Sequence, residues 1–474
     1  MTATTLTTDY LVVGAGAMGM AFTDALIDHA DVHVTIVDRR HAAGGHWLDA
    51  YPFVHLHQAS SFYGVASTLL GDGSVQLSGP EKGLGERARK PAIEAYFDDI
   101  MRRRFVGSGR VTFLSASEYR TDGDAHLVTS RVSGETVSVE VRRRVVDATY
   151  LSPSIPASTP PPFAVADDVP VVAVNRIADL SEPISPARFA PGAMTPRNFV
   201  IVGAGKTATD AIAWLLGHGV ASNRITWVRP REPWMLNRAV VQPDPLVSLK
   251  LSADTMEAAA RADSVDDFFL RLEAAGVMMR IDRGLLPTMA KAPTLGEWEL
   301  DLLRSVENVV RLGHVRGISA REVVLDGGAV PLPPDSVVVH CAAAGLKYPP
   351  LVPLWGEKIR LQTIRAGFPC FGAALAGYVE ATRDDDRDRN RLCPPNALAD
   401  SPIDWIRMQL RGSMATRSFM AEDDIAAWAN GCALNPARIG PDAREDPAVA
   451  SASARLAEWA GPGLLRMGEL SALP

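Results

Sequence analysis

The stretch DYLVVGAGAMGM, Asp9 to Met20, decides the fold of this chain. Its hydrophobic strand leads directly into Gly14, Gly16 and Gly19, and the helix-prone run MAFTDALIDH follows. In such a turn the first glycine permits the sharp bend, the second lets the backbone approach a pyrophosphate, and the third lets helix and strand pack closely. The sequence therefore predicts a strand–turn–helix unit that binds a dinucleotide.

The same order of elements occurs twice. After the first helix, the strand HVTIVD ends at Asp38, where a carboxylate accepts hydrogen bonds from ribose hydroxyls. The second copy begins with NFVIVGAGKTATD, Asn198 to Asp210, and its next strand, RITWVR, ends at Arg229. Two complete units of this kind indicate an α/β fold with two Rossmann-like dinucleotide-binding domains.

The segments between and after these units suggest how the domains are arranged. A helix is predicted for KPAIEAYFDDIMRRR, strands for RVTFLS, HLVTSRV and TVSVEVRRRVVDAT, and an extended connector for LSPSIPASTPPPF. We expect the strand SVVVHCAA, Ser336 to Ala343, to return to the first domain. The second domain would thus be inserted in the first, with helical additions. The predicted parts are residues 1–165 and 331–474 for the first domain, the latter with a helical tail, and residues 166–330 for the second, with a helical insertion.

Composition limits the possible partners. The 474 residues are 47% hydrophobic and 22% charged, which is typical of a globular protein. The net charge of −7, from 48 basic and 55 acidic residues, argues against nucleic acid as a partner. No apolar stretch approaches the roughly 20 residues that span a bilayer, and no signal peptide is recognisable. We therefore expect a cytoplasmic protein that does not bind a membrane.

Metal and dithiol chemistry are disfavoured. The four cysteines form no CxxC pair, which argues against a zinc ribbon and a redox dithiol. His55 and His57 are two residues apart, but no third ligand stands at metal spacing. We therefore predict no metal site.

The residues after Asp38 include Gly44-Gly45-His46-Trp47 and the segment HLHQ, His55 to Gln58. With the glycine turn and the acid before them, they resemble the flavin-containing monooxygenase superfamily. The resemblance implies that the first domain binds FAD, with Gly44, Gly45 and Trp47 along the pyrophosphate and ring and HLHQ near the isoalloxazine. The run FPCFGAALAGYVEA, Phe368 to Ala381, resembles the segment whose helix points at the flavin pyrimidine, although simple helix packing explains it equally well. The residues assigned to FAD are Gly14, Gly16, Gly19, Asp38, Arg39, Gly45, His46, Trp47, His57, Gln58, Ser117, Ala148, Thr149, Ala374 and Leu375.

Two of these residues are candidates for a catalytic role. A reduced flavin needs a polar group near its N5 and C4a atoms and otherwise a dry, shaped pocket. Gln58 is the candidate for that polar group, and His57 is a candidate acid or base.

The second turn is predicted to hold the nicotinamide cofactor that reduces the flavin. Ala208 stands at the third glycine position, where a small residue suffices. Lys206 and Thr207 begin the helix, where a cation and a hydroxyl can help to hold phosphate. Arginines after the next strand favour NADPH, because they can pair with a 2′-phosphate, unless they are merely surface residues. The residues assigned to NADPH are Gly203, Gly205, Lys206, Thr207, Ala208, Arg229 and Arg231.

Together these features predict hydride transfer from NADPH to FAD, followed by reaction of the reduced flavin with dioxygen. A C4a-peroxyflavin would then insert one oxygen into a small organic substrate, by N- or S-oxidation or by a Baeyer–Villiger reaction. The connector FAVADDV, however, has Val165 and Val169 where the monooxygenases have glycine and histidine. An NAD(P)H oxidase, reductase or dehydrogenase without oxygen insertion is therefore the alternative, and a non-catalytic nucleotide sensor is a remote one. The sequence names neither the substrate nor the oligomeric state.

Overall fold

A computed structural model describes residues 5–178, 197–343, 345, 347–365 and 367–472. The strands are β1 Thr5–Val13, β2 Val34–Val37, β3 Val111–Leu114, β4 Ser117–Asp122, β5 Ala125–Ser130, β6 Thr136–Asp147, β7 Ala164–Val165, β8 Val171–Ala173, β9 Asn198–Val202, β10 Ile225–Val228, β11 Pro233–Asn237, β12 Met278–Arg280, β13 Met289–Leu295, β14 Val309–Val310, β15 Val315–Ile318, β16 Glu322–Leu325, β17 Gly328–Pro331, β18 Ser336–His340 and β19 Ile359–Arg360. The α-helices are α1 Ala17–His29, α2 Lys90–Asp99, α3 Lys206–Gly217, α4 Pro245–Ala260, α5 Val265–Ala274, α6 Glu297–Arg304, α7 Pro369–Thr382, α8 Asp386–Leu392, α9 Pro402–Met420, α10 Asp423–Gly431, α11 Pro441–Arg444 and α12 Pro447–Ser471.

The first domain is built on a sheet of order β3-β2-β1-β6-β5-β4, with β19 also paired to β6. Strand β1 lies between β2 and β6 and is parallel to both, whereas β4, β5 and β6 form an antiparallel meander. Helix α1 packs against α7 so closely that a Cβ on Gly377 would lie 2.3 Å from the carbonyl oxygen of Phe22. The predicted βαβ unit is confirmed.

The second domain contains a fully parallel sheet of order β14-β10-β9-β18-β8. Strand β18 lies inside this sheet, between β9 and β8, and all five of its residues are buried. The prediction that Ser336 to Ala343 returns to the first domain is therefore wrong, and the second domain extends past residue 330. The return is made by β19, which pairs with β6. A short, fully apolar strand fits the interior of either parallel sheet, so its sequence does not choose between them.

The helical additions pack against one another. Helices α4, α5, α9 and α12 share an apolar core that includes Phe268, Phe269, Trp405 and Met467. A Cβ on Gly463 would lie 2.5 Å from the carbonyl oxygen of Met256, so α12 and α4 are in backbone contact. These elements confirm the predicted helical additions. Within the described ranges, no helix combines the length and the hydropathy needed to cross a membrane.

Candidate functional site: two glycine turns and an apolar cavity

The turn after β1 has the backbone geometry that its glycines predict. Gly14 has a φ of +110°, and a Cβ on Gly19 would lie 2.1 Å from the carbonyl oxygen of Gly14. Gly16 is the N-cap of α1, and no side chain caps this end of the helix. The first backbone amides of α1 are therefore left without a capping partner. Gly45 approaches from the GGHW loop, because its Cβ would lie 2.8 Å from the Cα of Gly16. The turn and the loop thus form one backbone-lined surface.

Asp38 lies beside this turn. Its carboxylate accepts hydrogen bonds from the amide of Ala15 at 2.7 Å and from the amide of Arg40 at 2.8 Å. Ser117 donates its amide to the carbonyl of Asp38 at 2.9 Å, and Arg39 is exposed next to it. The structure therefore brings together the predicted ribose acid and its predicted neighbours at the carboxyl end of β2.

Ala148 and Thr149, which follow β6, also contact the first turn. The Cγ2 atom of Thr149 is 3.0 Å from a Cβ placed on Gly14, and the Cβ of Ala148 is 3.1 Å from one placed on Gly19. Both residues lie against the first turn, at the switch point between β1 and its neighbours.

The GGHW segment is a short 3₁₀ helix, Gly45–Asp49. His46 stacks on Trp47 with ring centroids 5.3 Å apart, and the indole Nε1 of Trp47 donates to the hydroxyl of Tyr63 at 2.7 Å. Burial lowers the pKa of His46 to about 4, with a contribution from Arg40. His46 is therefore a neutral, packed imidazole at neutral pH.

The two candidate catalytic residues lie on different sides of their segment. The carboxamide of Gln58 donates to the carbonyl of Gly367 at 3.1 Å, and both residues line a cavity of about 450 Å³. His57 is not among the lining residues. Its carbonyl accepts hydrogen bonds from Arg238 and Thr294 of the second domain. Burial, reinforced by Lys206 and Arg238, lowers the pKa of His57 to about 3. The structure thus keeps Gln58 as a candidate and corrects His57 to an interdomain packing residue.

Helix α7 begins beside the same cavity. Its first residue is Pro369, which follows Gly367 and Phe368 in the cavity wall. Ala374 and Leu375 lie more than a turn further on and are fully buried in the α7–α1 packing. The prediction that they contact the cofactor is corrected accordingly, and helix packing, the alternative, explains them. The backbone amides at the N-terminal end of α7 belong to its first turn, and not to Ala374 or Leu375.

The cavity lies between residues of the first domain, among them Gln58 and Phe62, and the helices α4, α9 and α12. Its walls are mainly apolar. Representative lining residues are Phe62, Leu236, Met256, Phe368, Trp405 and Met408. A volume of about 450 Å³ falls in the range of small-molecule sites, roughly 300–1,000 Å³.

The second turn, after β9, is also open to a phosphate. Gly203 has a φ of +141°, and its Cβ would lie 2.9 Å from the carbonyl of Cys341. A Cβ on Gly205 would have no atom within 4 Å, and this N-cap of α3 makes no side-chain capping bond. Ala208 is fully buried where helix meets strand, and Thr207 is half-buried in the first helical turn. The residues at this turn fit a dinucleotide pyrophosphate.

Lys206, in contrast, is engaged elsewhere. Its Nζ pairs with Asp210 and lies 3.6 Å from a carboxylate oxygen of Glu299. The hydroxyl of Tyr51, from the first domain, donates to Asp210 at 2.6 Å. The structure therefore corrects the prediction that Lys206 holds phosphate, because two carboxylates already neutralise its charge.

This lysine belongs to a buried network that we call the interdomain ion cluster. Arg238, whose side chain is 1% exposed, pairs with Glu81 and Glu299. Burial alone raises the pKa of each glutamate, but Arg238 and neighbouring cations reverse this and hold both at about 2. Sequence analysis missed this cluster because its members come from separate segments of the chain and form no motif. It consists of Glu81, Arg87, Lys206, Asp210, Arg238 and Glu299.

The two arginines assigned to the 2′-phosphate differ in accessibility. The side chain of Arg229 is 1% exposed, pairs with Glu232 at 3.0 Å and stacks over Trp227. Arg231 makes a two-pronged ion pair with Asp400, at 2.7 and 2.8 Å, and its side chain is 34% exposed. The structure thus corrects Arg229 to a buried residue, whereas Arg231 can still meet a solvent-borne ligand.

No protein-family model matches the chain. It is 39% identical over 437 residues to the uncharacterized proteins Rv2000 of Mycobacterium tuberculosis (strain ATCC 25618 / H37Rv) and Mb2023 of Mycobacterium bovis, an alignment that covers 91% of this chain and 78% of each relative. The chain belongs to the family of these mycobacterial proteins.

Solved structures resemble the chain in fold. The polycyclic ketone monooxygenase from the thermophilic fungus Thermothelomyces thermophila is 13% identical, with a TM-score of 0.50, over 100% of this chain and 89% of that one. The cyclohexanone monooxygenase from Rhodococcus sp. Phi1 bound to NADP+ is 15% identical, with a TM-score of 0.48, over 97% of both chains. The likeness to the fungal enzyme shows a flavin monooxygenase-like fold, as the sequence resemblance implies.

Proposed function

We propose that this protein is an FAD-dependent, NADPH-reduced monooxygenase that inserts one oxygen atom from dioxygen into a small organic substrate. The hydrogen bond from Gln58 to Gly367 carries the proposal. It joins the loop after GGHW to the start of α7 at the wall of a largely apolar cavity. A flavin whose pyrophosphate lies on the first turn would meet a substrate there.

The chain's own residues have defined tasks in this proposal. FAD, when bound, supplies the redox chemistry and the reaction with dioxygen. Gly16 and Gly45 offer the backbone surface for its pyrophosphate, and the carboxamide of Gln58 offers a polar group at the cavity wall. Gly205 and the start of α3 hold the nicotinamide nucleotide. The apolar walls exclude water from the reacting atoms.

An FAD-dependent NAD(P)H oxidase, reductase or dehydrogenase is the second candidate. The connector FAVADDV favours it, because Val165 and Val169 replace the glycine and histidine of the monooxygenase pattern. Disulfide reduction is disfavoured, because the four cysteines are buried free thiols, and burial raises the pKa of Cys370 to about 12.

Rapid mixing separates the two candidates. The purified protein is reduced with NADPH without oxygen, then mixed with oxygenated buffer while the flavin spectrum is recorded. A transient near-ultraviolet band before the oxidised spectrum returns is expected of the monooxygenase. Immediate reoxidation with stoichiometric peroxide release would favour the oxidase or reductase. If NADPH fails to bleach the flavin, the assignment of the second turn is overturned.

A further inference from the structure

The charged residues that line the cavity all have the same sign. Among the described residues that line it, the charged ones are three arginines, Arg365, Arg417 and Arg438. No described aspartate, glutamate or lysine lines the cavity. Arg417 and Arg438 are exposed, and Arg365 is of intermediate exposure because it faces the cavity. The protein as a whole carries a net charge of −7, so this concentration of positive charge is local.

Arg365 is fixed in position by a hydroxyl. Its Nη1 donates to the Oγ1 of Thr416 at 2.6 Å, and Thr416 donates in turn to the carbonyl of Gly412, one turn earlier in α9. Helix α9 therefore orients the guanidinium at the cavity wall. Arg365 is two residues from Gly367, the acceptor of the Gln58 hydrogen bond, so it lies on the side of the cavity where the flavin ring is expected.

No carboxylate neutralises Arg365 within the residues that the structure describes. Burial lowers its pKa to about 10, and no nearby acid opposes this effect. Other enclosed arginines differ: Arg238 pairs with two glutamates, Arg229 with Glu232 and Arg389 with Glu380. An unpaired cation in an apolar wall is costly unless an anion joins it.

We propose that the cavity binds an apolar organic acid whose carboxylate pairs with Arg365. The planar guanidinium matches the two oxygens of a carboxylate, and Thr416 holds it ready for that contact. The apolar body of the acid would pack on residues such as Phe368, Trp405 and Met408. This inference rests on the proposed function where it names a substrate class, but the binding itself requires no turnover.

The test compares matched acids and amides. Binding of octanoate and octanamide, and of naphthylacetate and naphthylacetamide, is measured by calorimetry on the full-length protein at pH 7, with flavin content recorded in parallel. The wild type is expected to bind each acid at least about tenfold more tightly than its amide, as a charge-assisted hydrogen-bonded pair should. Arg365→Gln should remove this preference, and Arg365→Lys should retain part of it. Arg411→Gln is the control, because Arg411 is exposed on α9 and does not line the cavity.

Three results would overturn the inference: equal affinity of the wild type for acid and amide, an unchanged preference in Arg365→Gln, or an equal loss in Arg411→Gln. The comparison within the wild type stands even if a variant fails to fold. A clear acid preference in a protein that NADPH does not reduce would refute the proposed function and leave the binding site intact. If NADPH reduces the protein but the wild type shows no acid preference, only the proposed binding site is refuted.

Discussion

Replacing Arg238 by methionine should strongly destabilise the protein. Methionine keeps much of the side-chain volume but leaves Glu81 and Glu299 without their shared cation. The fall in pKa of each glutamate from 4.5 to about 2 corresponds to roughly 3 kcal/mol per carboxylate. Arg87 and Lys206 account for part of this lowering of the pKa values, and both remain in the variant. We therefore expect a loss of about 3–5 kcal/mol in the free energy of unfolding, which is typical of a broken buried ion pair.

The assay is urea unfolding of wild type and Arg238→Met at pH 7 and pH 4. Depressed carboxylate pKa values stabilise the folded state above the ordinary pKa of 4.5, and this contribution is lost as the pH falls towards 2. The difference between the two proteins should therefore be about one quarter smaller at pH 4. Arg271→Met is the control, because Arg271 pairs with Asp267 at the surface and should cost less than about 1 kcal/mol. A loss in Arg238→Met no larger than in this control, or a difference that widens in acid, would refute the reasoning.

Three further predictions concern the nucleotide sites. Gly16→Val should abolish FAD retention, because the valine side chain would fill the surface that Gly16 shares with Gly45. The ratio of flavin to protein absorbance measures this retention, and a fully loaded yellow variant would contradict the prediction. Arg231→Ala should raise the KM for NADPH several-fold more than the KM for NADH, whereas Arg229→Ala should lower the unfolding midpoint without changing this ratio, because Arg229 is buried. If Arg229→Ala alone changes the ratio of the KM values for NADPH and NADH, the assignment of Arg229 to the 2′-phosphate is restored. Gln58→Leu should keep FAD but slow flavin turnover at least tenfold in stopped-flow experiments, and wild-type rates would remove Gln58 from the reacting centre.

Much of the site was predictable because its signals are local. Gly14, Gly16 and Gly19 are spaced by the needs of one turn, and that turn has the expected backbone in the structure. Asp38 directly follows β2, which pairs beside β1, so its distance from the turn follows from strand length and parallel pairing. These residues are close in the chain, and elementary backbone geometry determines their arrangement.

The sequence by itself determined two glycine turns, their strands and helices, and hence a fold with two nucleotide-binding domains. Only the tertiary structure decided which sheet contains Ser336–His340, since a buried apolar strand satisfies either. It also decided which charges are available to a ligand: Lys206 and Arg229 are neutralised by carboxylates, whereas Arg365 has no carboxylate partner among the residues that the structure describes. The physical reason is that a charge's partner is set by packing between distant segments, which no short motif records.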